Sequence, residues 1–88
     1  MKLPFTEYIE AAMRRASYDK LDEKRFYGEI ADCPGVYATG LSLVECQDEL
    51  RSVLEGWILV SIKSGGTLPV IDGINLNEVP ELEPADSL

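Results

Sequence analysis

Ser42-Leu43-Val44-Glu45 reads as a capping box, and it follows directly on a strand–turn–strand pattern, so one short stretch dictates how a sheet runs into its covering helix. The Ser42 hydroxyl is placed to accept from the Glu45 amide while the Glu45 carboxylate reaches back, and Leu41 and Cys46 occupy the two staple positions that flank such a cap. Gly65-Gly66 supplies the stop, so the helix is expected from Ser42 to about Lys63. Leu43, Cys46, Leu50, Val53, Leu54 and Trp57 form its core stripe. Beyond Trp57 the pattern widens, and Ile58, Leu59, Val60 and Ile62 make the helix apolar nearly all round.

Upstream, Arg25 to Ala31 alternates as a strand with Phe26, Gly28 and Ile30 on one face and Tyr27 and Glu29 on the other. Pro34-Gly35 is a type II turn signature, because proline presets the first central position and glycine tolerates the positive φ of the second. Val36 to Leu41 then returns with Val36, Ala38 and Gly40 on one side, small enough for a helix to lie close. Ser17 to Leu21 precedes as another strand, closed by a polar turn at Asp22-Glu23-Lys24. Residues 5 to 16 carry Phe5, Ile9, Ala12, Met13 and Ala16 at helical spacing, with acids early and Arg14 and Arg15 late, in keeping with the helix dipole. Leu68 to Ile71 is expected as a short fourth strand, placed at an edge by Pro69.

The fold class that follows is α+β. A single two-layer domain of order α-β-β-β-α-β is expected, an antiparallel three-stranded meander plus the short fourth strand, covered by one long helix. It should span residues 1–71. Residues 72–88 form an acidic tail: Asp72, Glu78, Glu81, Glu83 and Asp86 face no base, and Pro80 and Pro84 argue against regular structure.

Chemistry is harder to find. Sixteen acids against eight bases give a net charge of −8, which repels phosphate backbones and leaves direct DNA binding unexpected. With no histidine and no CxxC spacing, a zinc site has no ligands to build from, and neither Cys33 nor Cys46 has a histidine to activate it. The two cysteines fit a reducing compartment as small apolar fillers. Asp19, Glu29, Asp32, Glu45 and Glu49 are the carboxylates from which a metal-dependent nuclease would be drawn, but Glu45 is already explained by the cap. No glycine-rich phosphate loop is present, and Tyr18, Tyr27 and Tyr37 lack the cationic groove that accompanies base stacking. The start of the chain carries Glu7 and Glu10 where a signal peptide needs an apolar run, and no segment is long enough to span a membrane. The expectation is a cytoplasmic, non-enzymatic protein without a cofactor.

The run Tyr27-Gly28-Glu29-Ile30, then Pro34-Gly35-Val36-Tyr37-Ala38-Thr39-Gly40, then Leu43, Glu45-Cys46, Leu50 and Leu54-Glu55-Gly56-Trp57 resembles the HicB-like antitoxin family. The likeness covers about residues 5 to 71, and the PGVxATG-x-[ST]-x-x-E core is its specific part. It implies a truncated RNase H-like domain without nuclease acids, whose role is to bind and silence a HicA-type toxin, a small basic RNA-cleaving protein. Longer members add a DNA-binding module. Here seventeen acidic-tail residues follow Ile71, too few and wrongly charged for one.

Two surfaces are therefore expected to matter. Trp57, Ile58, Leu59, Val60 and Ile62 exceed what one sheet face can cover and point to self-association as a dimer or tetramer. Asp72, Glu78, Glu81, Glu83 and Asp86 are the residues expected to meet a basic partner. The alternative is a homo-oligomeric structural or regulatory protein with no toxin.

Overall fold

The computed structural model describes residues 4–78. Helix α1 (Pro4–Arg14) leads into three strands, β1 (Ser17–Lys20), β2 (Phe26–Glu29) and β3 (Tyr37–Gly40), followed by helix α2 (Leu43–Lys63) and a 3-10 turn at Leu76–Glu78. The strands form one antiparallel sheet in the order β1-β2-β3, so β2 is central and β3 lies at an edge. Register pairs Ser17 with Glu29 and Glu29 with Tyr37, and Asp19 with Tyr27 and Tyr27 with Thr39.

Local chemistry accounts for each connection. Both the Lys24 and Arg25 amides donate to the Asp22 carboxylate, at 2.8 and 2.9 Å, closing the first hairpin as an Asx-type turn. In the second, the Val36 amide donates to the Cys33 carbonyl and Gly35 sits at φ 95°, as the Pro-Gly pair requires. Ser42 is the N-cap, extended in backbone, and its hydroxyl accepts from the Glu45 amide at 3.1 Å. The return bond differs from a standard box: the Glu45 carboxylate accepts from Leu41, at 3.0 Å, one residue before the cap. The staple does not form, because Leu41 is 69% exposed while Cys46 is buried. At the other end Gly66 donates to Ser61 and Gly65, at φ 78°, to Ile62, which is a Schellman stop. Substituting Ser42 by alanine is expected to cost about 1 kcal/mol in chemical denaturation; no change would mean that the helix does not rely on its cap.

α2 lies across the inner face of the sheet, burying Cys46, Leu50, Leu54 and Ile58 against Ile30, Val36 and Ala38. α1 contributes Tyr8, Ile9, Ala11 and Ala12 to the same core. The stripe expected from sequence is thus shifted on both helices. Tyr8 is completely buried, its hydroxyl donating to the Pro69 carbonyl at 2.6 Å, whereas Leu43 is exposed at the rim.

Residues 68–71 do not form the expected fourth strand; beyond an isolated bridge between Ile71 and Ile74 they have no ladder among the described residues. The physical reason is that side chains have taken the segment's backbone groups. Asn77 accepts from the Leu68 amide and donates to the Leu68 carbonyl, both at 2.8 Å, Tyr8 holds the Pro69 carbonyl, and Pro69 has no amide to give. The ordered fold also runs past residue 71, since Leu76 is buried and Ile74 packs against the core.

Candidate functional site

Among the described residues, only one face of the sheet is covered. The other presents two cross-strand rows, Ser17–Glu29–Tyr37 and Asp19–Tyr27–Thr39. The Tyr27 and Tyr37 rings stack with centroids 6.2 Å apart, and the Tyr27 hydroxyl donates to Glu29 at 2.9 Å. That hydrogen bond to a carboxylate holds the Tyr27 phenol above its ordinary value. Strand alternation in the sequence places these residues opposite the core, but nothing in it signals that no second layer covers them.

The free edge of β3 continues this surface. Ile30 donates to Val36, so Val36, Ala38 and Gly40 direct their backbone groups towards β2, and the intervening Tyr37 and Thr39 direct theirs outward. Beside that edge runs a groove of about 650 Å³, bounded by Tyr37, Thr39 and Gly40 on the strand and by Glu45, Asp48, Glu49, Ser52 and Val53 on α2. Its helix wall is acidic. Glu45 is engaged by the cap, while Asp48 and Glu49 are exposed and form no ion pair among the described residues; the ion pair on α2 is Arg51–Glu55. Sequence reasoning considers Glu49 only as a metal ligand and passes over Asp48. Their position on the β3 flank of the helix depends on how α2 is rotated about its axis, which the stripe alone fixes too loosely.

The five apolar positions of α2 separate. Ile58 is wholly buried in the chain's own core and is not available to a partner. Trp57 and Ile62 are half-buried and pack against that core. Leu59, at 52%, and Val60, at 66%, are the two that face solvent. An all-apolar stretch overstates the exposed patch because a helix wedged between a sheet and α1 buries more than one stripe.

Of the acidic residues, Asp72 is not free. It accepts from Arg15 at 2.8 Å and from Arg14 at 3.4 Å, tying the segment to the end of α1. Glu78 ends the 3-10 turn, and Glu81, Glu83 and Asp86 lie outside the described residues. Arg15, by its hydrogen bond and its charge, holds the Asp72 carboxyl below its ordinary 3.8, against partial desolvation. A folded value below the unfolded one adds stability above the unfolded pKa, and that stability is lost as pH falls through the folded value. Asp72 sits at φ 52°, a conformation asparagine also tolerates, so Asp72→Asn isolates the charge. The wild type should be the more stable of the two at neutral pH, with the gap closing in acid urea titrations. A gap independent of pH would show that the pair contributes nothing.

The remaining reactive groups do not converge. Asp32 accepts from Arg15 at 3.1 Å, Asp19 and Glu29 lie on the open face, and Glu49 lies beyond β3. Among the described residues no group of three histidine, cysteine or acidic side chains is placed to hold a metal ion. Both cysteines are buried and free: burial and then the Asp32 carboxylate push the Cys33 thiol up to about 11, and burial raises Cys46. Among the described residues no helix is long and apolar enough to cross a membrane.

Comparison with proteins of curated function found no match. Among solved structures, the crystal structure of TTHA0281 from Thermus thermophilus is similar at 43% identity with a TM-score of 0.83, covering 91% of this chain and 99% of that one. The family described as UPF0150-like matches residues 7–69, which takes in most of α1, the whole sheet and α2, and the chain belongs to that family.

Proposed function

We propose that the chain is a non-enzymatic binding module of the HicB-like antitoxin type, which neutralises a small basic HicA-type RNA-cleaving toxin by occupying it. The observation that carries this reading is the division of labour among polar groups. Carboxylates near arginines or caps are committed to the fold, while Asp48 and Glu49 stand exposed beside an open strand edge, with no ion pair among the described residues. A net charge of −8 supports it, since charge complementarity speeds encounter with a basic protein. The Pro34-Gly35-Val36 to Glu45 block adds the family likeness. Co-expression with the product of an adjacent small basic open reading frame tests the proposal. Co-purification in a defined ratio, with relief of that protein's toxicity, is the expected result; toxicity unchanged by a soluble, folded chain would overturn it.

A second reading, self-association without a toxin, is favoured by Leu59 and Val60, adjacent apolar side chains that stay exposed among the described residues. Sedimentation should show at least a dimer at micromolar concentration, dissociated by Leu59→Lys with Val60→Lys. A monomeric wild type would remove this reading.

A further inference from the structure

The free edge of β3 and the acidic wall beside it belong to one site. The Tyr37 and Thr39 amides and carbonyls point away from β2. Leu41, next in the outward series, already donates to Glu45, so the unsatisfied edge is a short window of two residues. Protein edges of this kind are normally blunted by a charge, a proline or a covering segment. Among the described residues the β3 edge has none of these: its sequence is Tyr-Ala-Thr-Gly, and the charges stand back on the helix wall at Asp48 and Glu49.

We infer that this edge takes up an extended basic segment of a protein partner by strand addition, with the segment's cationic side chains seated against Asp48 and Glu49. A strand laid against Tyr37–Gly40 must send alternate side chains to the two faces of the sheet. On the inner face they meet the groove bounded by Glu45, Asp48, Glu49 and Ser52, which calls for lysine or arginine. On the outer face they lie beside Tyr37, already stacked on Tyr27, which suits an apolar or aromatic residue. The recognised chemistry is thus a strand with basic residues at every second position.

A second copy of this chain fits the edge less well. Symmetric pairing of two β3 strands about their midpoints lays one groove against the other. Glu45, Asp48 and Glu49 of each copy then face the same acids of its mate, with no base on either groove wall. Like charges opposed at short range select against that arrangement, and a cationic strand relieves them.

The inference rests on the binding-module reading and names its surface, so the test uses two probes. The first is a synthetic eight-residue peptide of alternating lysine and valine; the second is the co-expressed product of the adjacent basic reading frame. Two variants act on different parts of the site. Thr39→Pro removes an outward amide that the β2 ladder does not use, as edge strands permit. Asp48→Lys combined with Glu49→Lys reverses the groove's charge on exposed positions, and keeps the test open if the proline variant fails to fold.

For the wild type, peptide binding should slow hydrogen exchange at Tyr37 and Thr39 and weaken with added salt. Each variant should bind the peptide at least about tenfold more weakly, the loss of one or two net hydrogen bonds or charge contacts. If the reading-frame product binds wild type and both variants equally, the antitoxin reading stands and this surface is wrong. If no such product binds but the peptide protects Tyr37 and Thr39, the surface stands and the antitoxin reading falls. If Tyr37 and Thr39 are already protected in the free protein, and Thr39→Pro turns a dimer into a monomer, a second copy owns the edge and the inference is overturned.

Discussion

Gly40→Ala is expected to destabilise the protein by about 3 kcal/mol, at the upper end of what overpacking usually costs. A methyl group at Gly40 would come within 2.5 Å of the Cys46 amide nitrogen and 2.9 Å of its Cα, and these are backbone atoms of the first turn of α2. They cannot rotate away as a side chain can, so either β3 bends or the helix start lifts off the sheet. Lifting the helix also pulls Glu45 from the Ser42 hydroxyl and the Leu41 amide, so the cap is lost with the packing. The alanine gains back about 0.4–1 kcal/mol through a less flexible unfolded chain, which is too little to reverse the sign. Gly56→Ala on the same helix should do the opposite. Among the described residues nothing lies within 4 Å of a methyl group there, and alanine is favoured over glycine in a helix interior by about 0.8–1 kcal/mol. Urea denaturation of the two variants should therefore move the midpoint in opposite directions at unchanged slope. A Gly40→Ala protein as stable as wild type would mean that α2 does not rest on the sheet at this point.

Gly40 also shows what sequence makes legible. The small residues of β3 predict close helix approach, and Ala38 and Gly40 do face α2 while Gly28 faces the Tyr18 ring and the Cys46 sulfur. Strand alternation, the Pro-Gly turn and the cap are local signals, each satisfied within a few residues, and the structure follows them to within a residue or two. The errors all involve contacts distant in sequence. Periodicity misses Tyr8 because its partner is the Pro69 carbonyl, sixty-one residues on. Leu68 to Ile71 has the apolar pattern of a strand, yet its backbone groups are held by Tyr8 and Asn77. No local pattern announces a side chain that competes with a sheet. The widened apolar pattern sends Ile58 to the surface for a related reason: the second element packed on α2 is α1, and the two are joined only by tertiary contact.

The candidate site divides the same way. The rows Ser17–Glu29–Tyr37 and Asp19–Tyr27–Thr39 follow from alternation alone, but the groove requires β3 to be an edge with the acidic flank of α2 turned towards it. Acidity is legible as a bulk property, and the sequence points to the far C-terminal segment, where the acids are densest. On the fold, Asp72 has arginine partners, whereas Asp48 and Glu49 have none among the described residues, so density along the chain misjudges which charges are free. A carboxylate's availability depends on what stands within about 4 Å of it.

Ending the chain after Ile71 is accordingly expected to destabilise the domain by about 4 kcal/mol, a large share of what a protein this size has. The deletion removes Leu76, which is 3% exposed and packs in the same cluster as Tyr8, Leu68 and Ile71. Losing a buried leucine side chain costs about 2–5 kcal/mol. It also removes Asn77, whose amide satisfies both the Leu68 N–H and the Leu68 carbonyl, and part-buried groups left unpaired cost about 1–3 kcal/mol more unless water reaches them. Some of this is recovered because the ends of a chain relax, and about six or seven residues no longer need ordering. Two point variants separate the contributions. Leu76→Ala should account for most of the loss, and Asn77→Ala for about 1–2 kcal/mol. A chain ended after Glu78 should unfold at the same urea concentration as one of full length if nothing beyond that residue supports the fold. Should the chain ended after Ile71 prove as stable as full length, residues 72–78 would be an appendage, and Asp72 would be released from Arg14 and Arg15 to meet a basic partner after all.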